Sequence, residues 1–285
     1  MLHNPKDLLK GSVEVSSLPM IYYKINEAIN RPNTSMADIG KIISDDTGLT
    51  ARLLRLVNST FYGFPKKIET ITQALVIIGT KQLCDLAIAT SIVDLFAGIP
   101  KDFVSMESFW RHSIACGIAA KTIATFRRET NIERFLIAGI LHDVGRFIIY
   151  KKIGDEARRA LLRCKSDGTL LYVAEQEMIG FDHARLGGLL LKAWNLPPSL
   201  EETVTFHHQP QEAKLYPVDT AVIHVADIIV NSLQWGSSGE RYVPPLDERA
   251  WEILGLSADI LAPTIQQMER QLGDVMHSIL GGSGG

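Results

Sequence analysis

The chain has 285 residues, of which 46% are hydrophobic and 21% are charged, and its formal net charge is −3. This composition is ordinary for a globular protein, and the weak negative charge provides no overall field that would attract nucleic acid. We therefore expect no nucleic-acid partner. No apolar run reaches the roughly 18 residues of a membrane-spanning helix, so we expect no membrane partner either.

Residues 1–100 predict an N-terminal lobe of short helices. Leu49, Leu53, Leu56 and Val57 recur at the three- and four-residue spacing of a buried helical face. The residues from Asp45 to Gly48 predict a turn before that helix. The predicted helices of the lobe cover 18–30, 36–44, 50–58, 70–78 and 80–96.

Residues 101–235 predict a second helical region, which Gly98, Ile99 and Pro100 separate from the lobe. We expect its helices over 107–128, 135–141, 155–164, 170–178, 183–194, 198–206 and 217–233. Residues 236–280 predict a C-terminal helical extension with an amphipathic helix from 257 to 280, and 281–285 predict a flexible tail. The predicted fold class is therefore all-α.

The three cysteines give a prediction about the cellular compartment. Cys84, Cys116 and Cys164 are far apart in the sequence and form no CxxC pair. This pattern argues against a disulfide framework and against a thiolate zinc site. It is typical of reduced thiols, and we expect a cytoplasmic protein.

The stretch from Phe135 to Phe147 carries the strongest functional signal. Its apolar helix runs directly into His142 and Asp143, and burying either group without a partner would cost a few kcal/mol. We therefore expect a cation site centred on this pair. The following Gly145 either breaks the helix or allows another backbone to come close, and Arg146 adds a fixed positive charge.

Further candidate ligands lie on other predicted helices. Read alone, His112 is more simply a hydrogen-bonded core histidine, and His183 is as readily a surface residue near a helix cap. Asp227 interrupts an apolar run, so it needs a buried partner or a hydrated cleft. We expect His224, one turn earlier, to pack rather than bind metal. The complete set of candidate metal ligands is His112, His142, Asp143, His183, His207, His208 and Asp227.

The donor set predicts the kind of metal. Imidazole and carboxylate without thiolate suit Fe, Mn or Zn. Four ligands in the order His, His-Asp and Asp would satisfy one divalent ion. The three additional histidines suggest a second ion roughly 3.5 to 4 Å from the first, bridged by a carboxylate.

The order H…HD…D on an all-helical chain resembles the HD superfamily of metal-dependent phosphohydrolases. The closer resemblance is to the HDOD family, the HD-related output domain, over about residues 15–235. It is carried by ISDDTGLTARLLRLVNSTFYG, ITQALVIIGTKQL, FWRHS, AGILHDVGR, FDHARLGGLLLKAWNLP and FHHQP. His183 and the His207-His208 pair match the extra ligands of the two-metal HD-GYP phosphodiesterases. The chain departs from those enzymes where a Gly-Tyr-Pro loop would follow the paired histidines, and Arg146 stands where lysine is usual.

The resemblance implies a multi-helix HD bundle with an N-terminal lobe and leaves two functions open. The first is a signalling output module that acts through a protein partner, with its metal site as a structural pin or a sensor. The second is a phosphohydrolase that acts on a phosphorylated small molecule through a metal-activated hydroxide. In that case Asp143 would bridge two ions and Arg146 would pair with a phosphate oxygen. His112, His142, Asp143 and Asp227 would hold one ion, and His183, His207 and His208 the other.

Overall fold

The computed structural model describes residues 3–10, 19–95 and 103–281. Within these ranges all regular structure is helical and no strand occurs, which confirms the predicted all-α fold. The predicted boundary at Gly98 to Pro100 lies outside the described residues, as does most of the predicted tail.

The chain divides into two compact units. The N-terminal unit comprises Leu18–Ala97 and Met268–Gly285, and the core unit comprises Met1–Ser17 and Gly98–Gln267. The core unit begins with the short helix α1 (Pro5–Leu8). The N-terminal unit contains α2 (Met20–Asn30), α3 (Met36–Ser44), α4 (Thr47–Val57), α5 (Ile71–Ile78) and α6 (Thr80–Leu95).

The core unit continues with the helices that carry the candidate ligands. They are α7 (Met106–Phe126), α8 (Glu133–Leu141), α9 (Val144–Lys152), α10 (Gly154–Asp167), α11 (Leu171–Ile179), α12 (His183–Ala193), α13 (Pro198–Phe206), α14 (Pro217–Leu233) and α15 (Glu248–Leu254). Two 3-10 turns, Pro210–Glu212 and Ala258–Ile260, lie in the same unit. The last helix, α16 (Leu261–Leu280), crosses the division between the two units.

Most predicted helices agree with the structure to within a few residues, but one predicted turn was wrong and three helices were missed. The predicted turn from Asp45 to Gly48 already contains the start of α4, because the Asp46 side chain accepts a hydrogen bond from the Leu49 N–H at 2.9 Å and caps the helix. Helices α1, α9 and α15 were not predicted. Helix α15, within the predicted C-terminal extension, has only seven residues, and Asp247 caps it in the same way.

No single helix among the described residues is both long and apolar enough to cross a membrane. The pair Ile71–Ile78 and Thr80–Val93, bent by 119°, satisfies the length and composition criteria only when taken together.

The core unit is organised by a very close crossing of α7 and α8. A Cβ atom added to Gly139 of α8 would lie 2.5 Å from the Cα atom of Gly117 on α7, so the two backbones touch where the glycines meet. This approach brings His112 of α7 and His142, just after α8, close to one another. Helix α14 packs against both α7 and α8, and α12 packs against α9 and α13.

We predict that Gly139→Ala lowers the free energy of unfolding by about 1–3 kcal/mol, because the new methyl group meets rigid backbone on α7. Gly273→Ala in α16 is the matched control, since a Cβ atom there has no neighbour within 4 Å. The control should be neutral or slightly stabilising. Denaturant unfolding of both variants measures the difference, and equal stability would contradict the proposed backbone contact.

Candidate metal centre

His142 and Asp143 form the corner between α8 and α9. Helix α8 ends at Leu141 and α9 begins at Val144, so the pair lies between two helices and is almost completely buried. The Nδ1 atom of His142 donates to the Gly139 carbonyl oxygen at 2.7 Å. The Nε2 atom therefore faces the interior with its lone pair when the imidazole is neutral.

Gly145 fulfils the second of its two predicted roles. A Cβ atom at this position would overlap the carbonyl oxygen of His183 and lie 2.7 Å from the backbone nitrogen of Gly187. Only glycine allows α9 and α12 to approach this closely. As a result His183, the first residue of α12, lies directly beside Asp143.

A first group of ligand atoms surrounds the Oδ2 atom of Asp143. The Nε2 atom of His112 is 3.5 Å from Asp143 Oδ2 and 3.2 Å from Asp227 Oδ1. The Nε2 atom of His142 is 3.2 Å and 3.5 Å from the same two oxygens, and 3.3 Å from the His112 Nε2 atom. Four ligands arranged tetrahedrally at 2.0–2.1 Å from an ion are about 3.3 Å from one another. This group therefore has the spacing of a metal coordination shell.

A second group surrounds the other oxygen of Asp143. The Nε2 atoms of His183 and His207 lie 2.9 Å and 3.9 Å from Asp143 Oδ1. The Nε2 atom of His208 is 3.0 Å from that of His183, and the His208 ring stacks on Tyr172. The four ligand atoms of this group lie within 4.8 Å of one another. Asp143 thus faces one group with each carboxylate oxygen.

The buried Nε2 atom of His207 fits a cation. Its Nδ1 atom donates to the Val204 carbonyl oxygen at 2.8 Å, so Nε2 carries the lone pair of the neutral ring. That Nε2 atom is buried and has no hydrogen-bond partner among the described residues. A buried lone pair without a donor is costly, and a metal ion would satisfy it.

All seven candidate ligands come together, although their role as metal ligands stays a prediction. The reading of His183 as a surface residue is wrong, because its side chain is fully buried. The expectation for His224 is confirmed: its Nδ1 atom donates to the His207 carbonyl oxygen at 2.8 Å, and its Nε2 atom accepts from the Asp247 N–H at 3.0 Å.

Arg146 lies inside the centre. Its side chain is only 1% exposed, and its Nε atom is 3.1 Å from Asp143 Oδ1. Its Nη2 atom is 3.3 Å from His183 Nε2. The predicted contact with a substrate phosphate would require the guanidinium to move away from Asp143.

Four residues of the site were missed because no motif marks them. The buried Glu175 carboxylate accepts from the backbone N–H and from Nδ1 of His183, at 2.9 and 2.6 Å. The Ser238 hydroxyl donates to Asp143 Oδ2, and the Asn231 amide donates to Asp227 Oδ1 at 2.7 Å. The thiol of Cys116 lies 3.8 Å from His112 Nε2. The only available signal was the i, i+4 spacing of Cys116 after His112 and of Asn231 after Asp227.

The electrostatics of the centre follow from burial and from the two aspartates. Burial alone would lower the pKa of His142, but Asp143 and Asp227 outweigh it and raise the pKa to about 10. Burial, together with His142 and His183, lowers the pKa of His207 to about 3. Burial raises the pKa of the Cys116 thiol well above its usual range. Its Sγ atom belongs, with ligand atoms of His112, His142 and Asp227, to a group that could hold a metal ion. Metal binding would displace the Nε2 proton of His142, since only neutral imidazole is a ligand.

A cavity of about 640 Å³ adjoins the centre. None of the candidate ligands is among its lining residues, but Asn231 is, and Ser237 precedes the Ser238 that binds Asp143. The lining residues are Ser105, Glu107, Ser108, Arg111, Asn231, Gln234, Trp235, Gly236, Ser237, Glu240 and Arg241.

A sequence model of the HDOD domain matches residues 15–210. The chain belongs to the HDOD family. The match confirms the resemblance that the motifs predicted, and Asp227 lies beyond the matched segment. Solved structures agree with the assignment. This chain is 25% identical to an HDOD domain protein of unknown function from Geobacter sulfurreducens, with a TM-score of 0.78 and 97% of each chain covered.

Two further relatives were found. A provisionally named phosphohydrolase from Shewanella amazonensis SB2B is 24% identical, with a TM-score of 0.74 and coverage of 95% of this chain and 97% of that chain, which supports the fold alone. An uncharacterized protein from Treponema pallidum is 26% identical over 207 residues, or 70% of this chain. The match spans only 40% of that relative's length.

We predict that Glu175→Ala lowers the free energy of unfolding by about 1–3 kcal/mol, because two buried donors of His183 lose their acceptor. Glu177→Ala on the same helix is the control. Its carboxylate is half exposed and pairs with Arg163, and loss of such a pair costs at most about 1 kcal/mol. Thermal and denaturant unfolding give the comparison, and an equal loss in both variants would contradict the assigned role of Glu175.

Proposed function

We propose that this HDOD protein is a signalling output module that acts through a protein partner, and that a metal ion pins the helices of its core unit together. The observation that carries the proposal is the convergence of buried imidazoles and carboxylates from positions far apart in the chain. His112, the His142-Asp143 corner and Asp227 come from three separate parts of the sequence and meet at distances of 3.2–3.5 Å.

The residues fit a divalent ion such as Fe, Mn or Zn. His112, His142, Asp143 and Asp227 would supply two imidazole nitrogens and two carboxylate oxygens, a donor set that these ions accept. Ser238 and Asn231 hold the carboxylates, and Gly139 orients the His142 ring. Groups of this kind around the ligands fix the orientation of a metal site.

The burial of the ligand residues away from solvent favours a regulatory role over catalytic turnover. Asp143 is 1% exposed and Asp227 is 3% exposed, and the Ser238 hydroxyl covers the Oδ2 atom of Asp143. The Gly-Tyr-Pro loop of the related phosphodiesterases is absent from the sequence after His207 and His208. A buried ion in these surroundings would stabilise one arrangement of helices, which a partner protein then recognises.

We predict that protein purified without a chelator contains at least one equivalent of Fe, Mn or Zn by elemental analysis. His142→Ala should lose it, while the exposed His277→Ala should keep it. Chelation should lower the melting temperature of the native chain, because an ion at a hundredfold excess over its Kd stabilises the folded state by about 2.7 kcal/mol. Folded native protein that holds no metal, with a melting temperature unaffected by added Fe, Mn or Zn, would refute the site.

A second candidate function is metal-dependent phosphohydrolysis, and one observation favours it. The two oxygens of Asp143 face separate groups of imidazoles, which is the arrangement of a carboxylate that bridges two ions. Bound ions would supply an activated hydroxide for attack on phosphorus. The chain's own contribution would be to hold the two groups on either side of Asp143.

We predict no hydrolysis above background when the purified protein is screened against generic phosphodiesters and nucleotides with Mn or Fe added. The closed centre leaves no direct approach to Asp143, and this is the physical reason for the expected result. Rapid hydrolysis that disappears in His142→Ala and persists in His277→Ala would favour the phosphohydrolase instead.

A further inference from the structure

We infer that the Arg146 guanidinium is a built-in cation of the second ligand group, and that the centre therefore binds one metal ion, in the first group. The inference rests on the proposed metal site and specifies how many ions it takes. It concerns the second group only, in which Asp143 Oδ1 is surrounded by His183, His207 and His208.

The guanidinium already lies where a second ion would bind. Its Nε atom forms an ion pair with Asp143 Oδ1, the oxygen that faces this group, at 3.1 Å, without the geometry of a hydrogen bond. Its Nη2 atom is 3.3 Å from His183 Nε2. The Nδ1 atom of His183 donates to Glu175, and its Nε2 atom is also 2.9 Å from Asp143 Oδ1. Arg146 and a second ion would thus compete for the same carboxylate oxygen and the same ring nitrogen.

The two groups also differ in how evenly their ligand atoms are spaced. In the first group the five measured separations between ligand atoms all lie between 3.2 and 3.5 Å. In the second group the separations from Asp143 Oδ1 are 2.9 Å to His183 and 3.9 Å to His207. Only the first group has the spacing of an assembled tetrahedral shell.

Charge balance points the same way. Three buried carboxylates touch the imidazoles of the centre, namely Asp143, Asp227 and Glu175. One divalent ion and the Arg146 guanidinium supply three positive charges, which balance these carboxylates when the histidines are neutral. A second divalent ion would leave two positive charges in excess of these three carboxylates, which is unfavourable in the interior. Glu240 is also buried near Arg146, and its carboxylate accepts three backbone N–H groups; counting its charge reduces that excess to one.

Removal of the guanidinium should therefore create a second site. In Arg146→Met the Asp143 Oδ1 atom and the His183 Nε2 atom are released, and they join the unpartnered Nε2 atom of His207. Arg185→Met is the matched control, because Arg185 is exposed on the first turn of α12, two residues after His183.

The experiment is elemental analysis of Mn-loaded, desalted protein, with electron paramagnetic resonance to detect magnetically coupled Mn pairs. We expect one equivalent and no coupled pair in the native chain and in Arg185→Met, and two equivalents with a coupled pair in Arg146→Met. The double variant Arg146→Met/His207→Ala should return to one equivalent. In the native background, His207→Ala should keep one equivalent and His142→Ala should bind none.

Two results would overturn the inference and leave the proposed metal site intact: two equivalents in the native chain, or a single equivalent in folded Arg146→Met. Folded native protein with no bound Mn would instead refute the metal site itself. If Arg146→Met does not fold, the metal content of His207→Ala in the native background shows which group holds the ion. Loss of the ion in that variant would place it in the second group and contradict the inference.

Discussion

The burial of the Asp143 carboxylate is the constraint on which the rest of the core unit depends. A carboxylate removed from water must be surrounded by donors or cations, and Asp143 has imidazoles on both oxygens, a guanidinium on one and a hydroxyl on the other. Burial alone would raise the pKa of Asp143, but Arg146 and the neighbouring histidines hold it well below its usual range. Asp143 is therefore ionised, and its partners are held in position by the surrounding helices and by the loop that carries Ser238.

Backbone contacts between helices make this arrangement geometrically possible. Gly117 and Gly139 let α7 and α8 touch, and Gly145 lets α9 meet the start of α12. A Cβ atom at any of these positions would lie within 2.7 Å of a backbone atom of the neighbouring helix, so the helices would have to move apart. The glycines of the core unit thus determine which histidines reach Asp143, even though they contribute no ligand atom themselves.

The sequence predicted the helices and the identity of the candidate ligands because both leave local patterns. The spacing of Leu49, Leu53 and Leu56 gave α4 to within three residues at its start, and the His142-Asp143 pair stood out at the end of an apolar helix. Contacts between distant residues leave no such pattern. Neither the bond from Ser238 to Asp143 nor the burial of Arg146 could be inferred, because the first joins positions 95 residues apart and the second depends on how α9 packs. The position of Met268–Gly285 in the N-terminal unit was equally invisible, since it rests on contacts such as that of Thr60 Oγ1 with Asp274 at 2.7 Å.

The end of α14 and the segment that follows it connect the centre to the adjoining cavity. Asn231 and Ser237 line the adjoining cavity, and the hydrogen bonds of Asn231 and Ser238 end on the two aspartates. A molecule that moved these cavity residues would shift Asn231 and Ser238 and thereby alter the position of both carboxylates, which would change the affinity of the centre for a cation. By reciprocity, a bound cation would change the affinity for that molecule by the same factor.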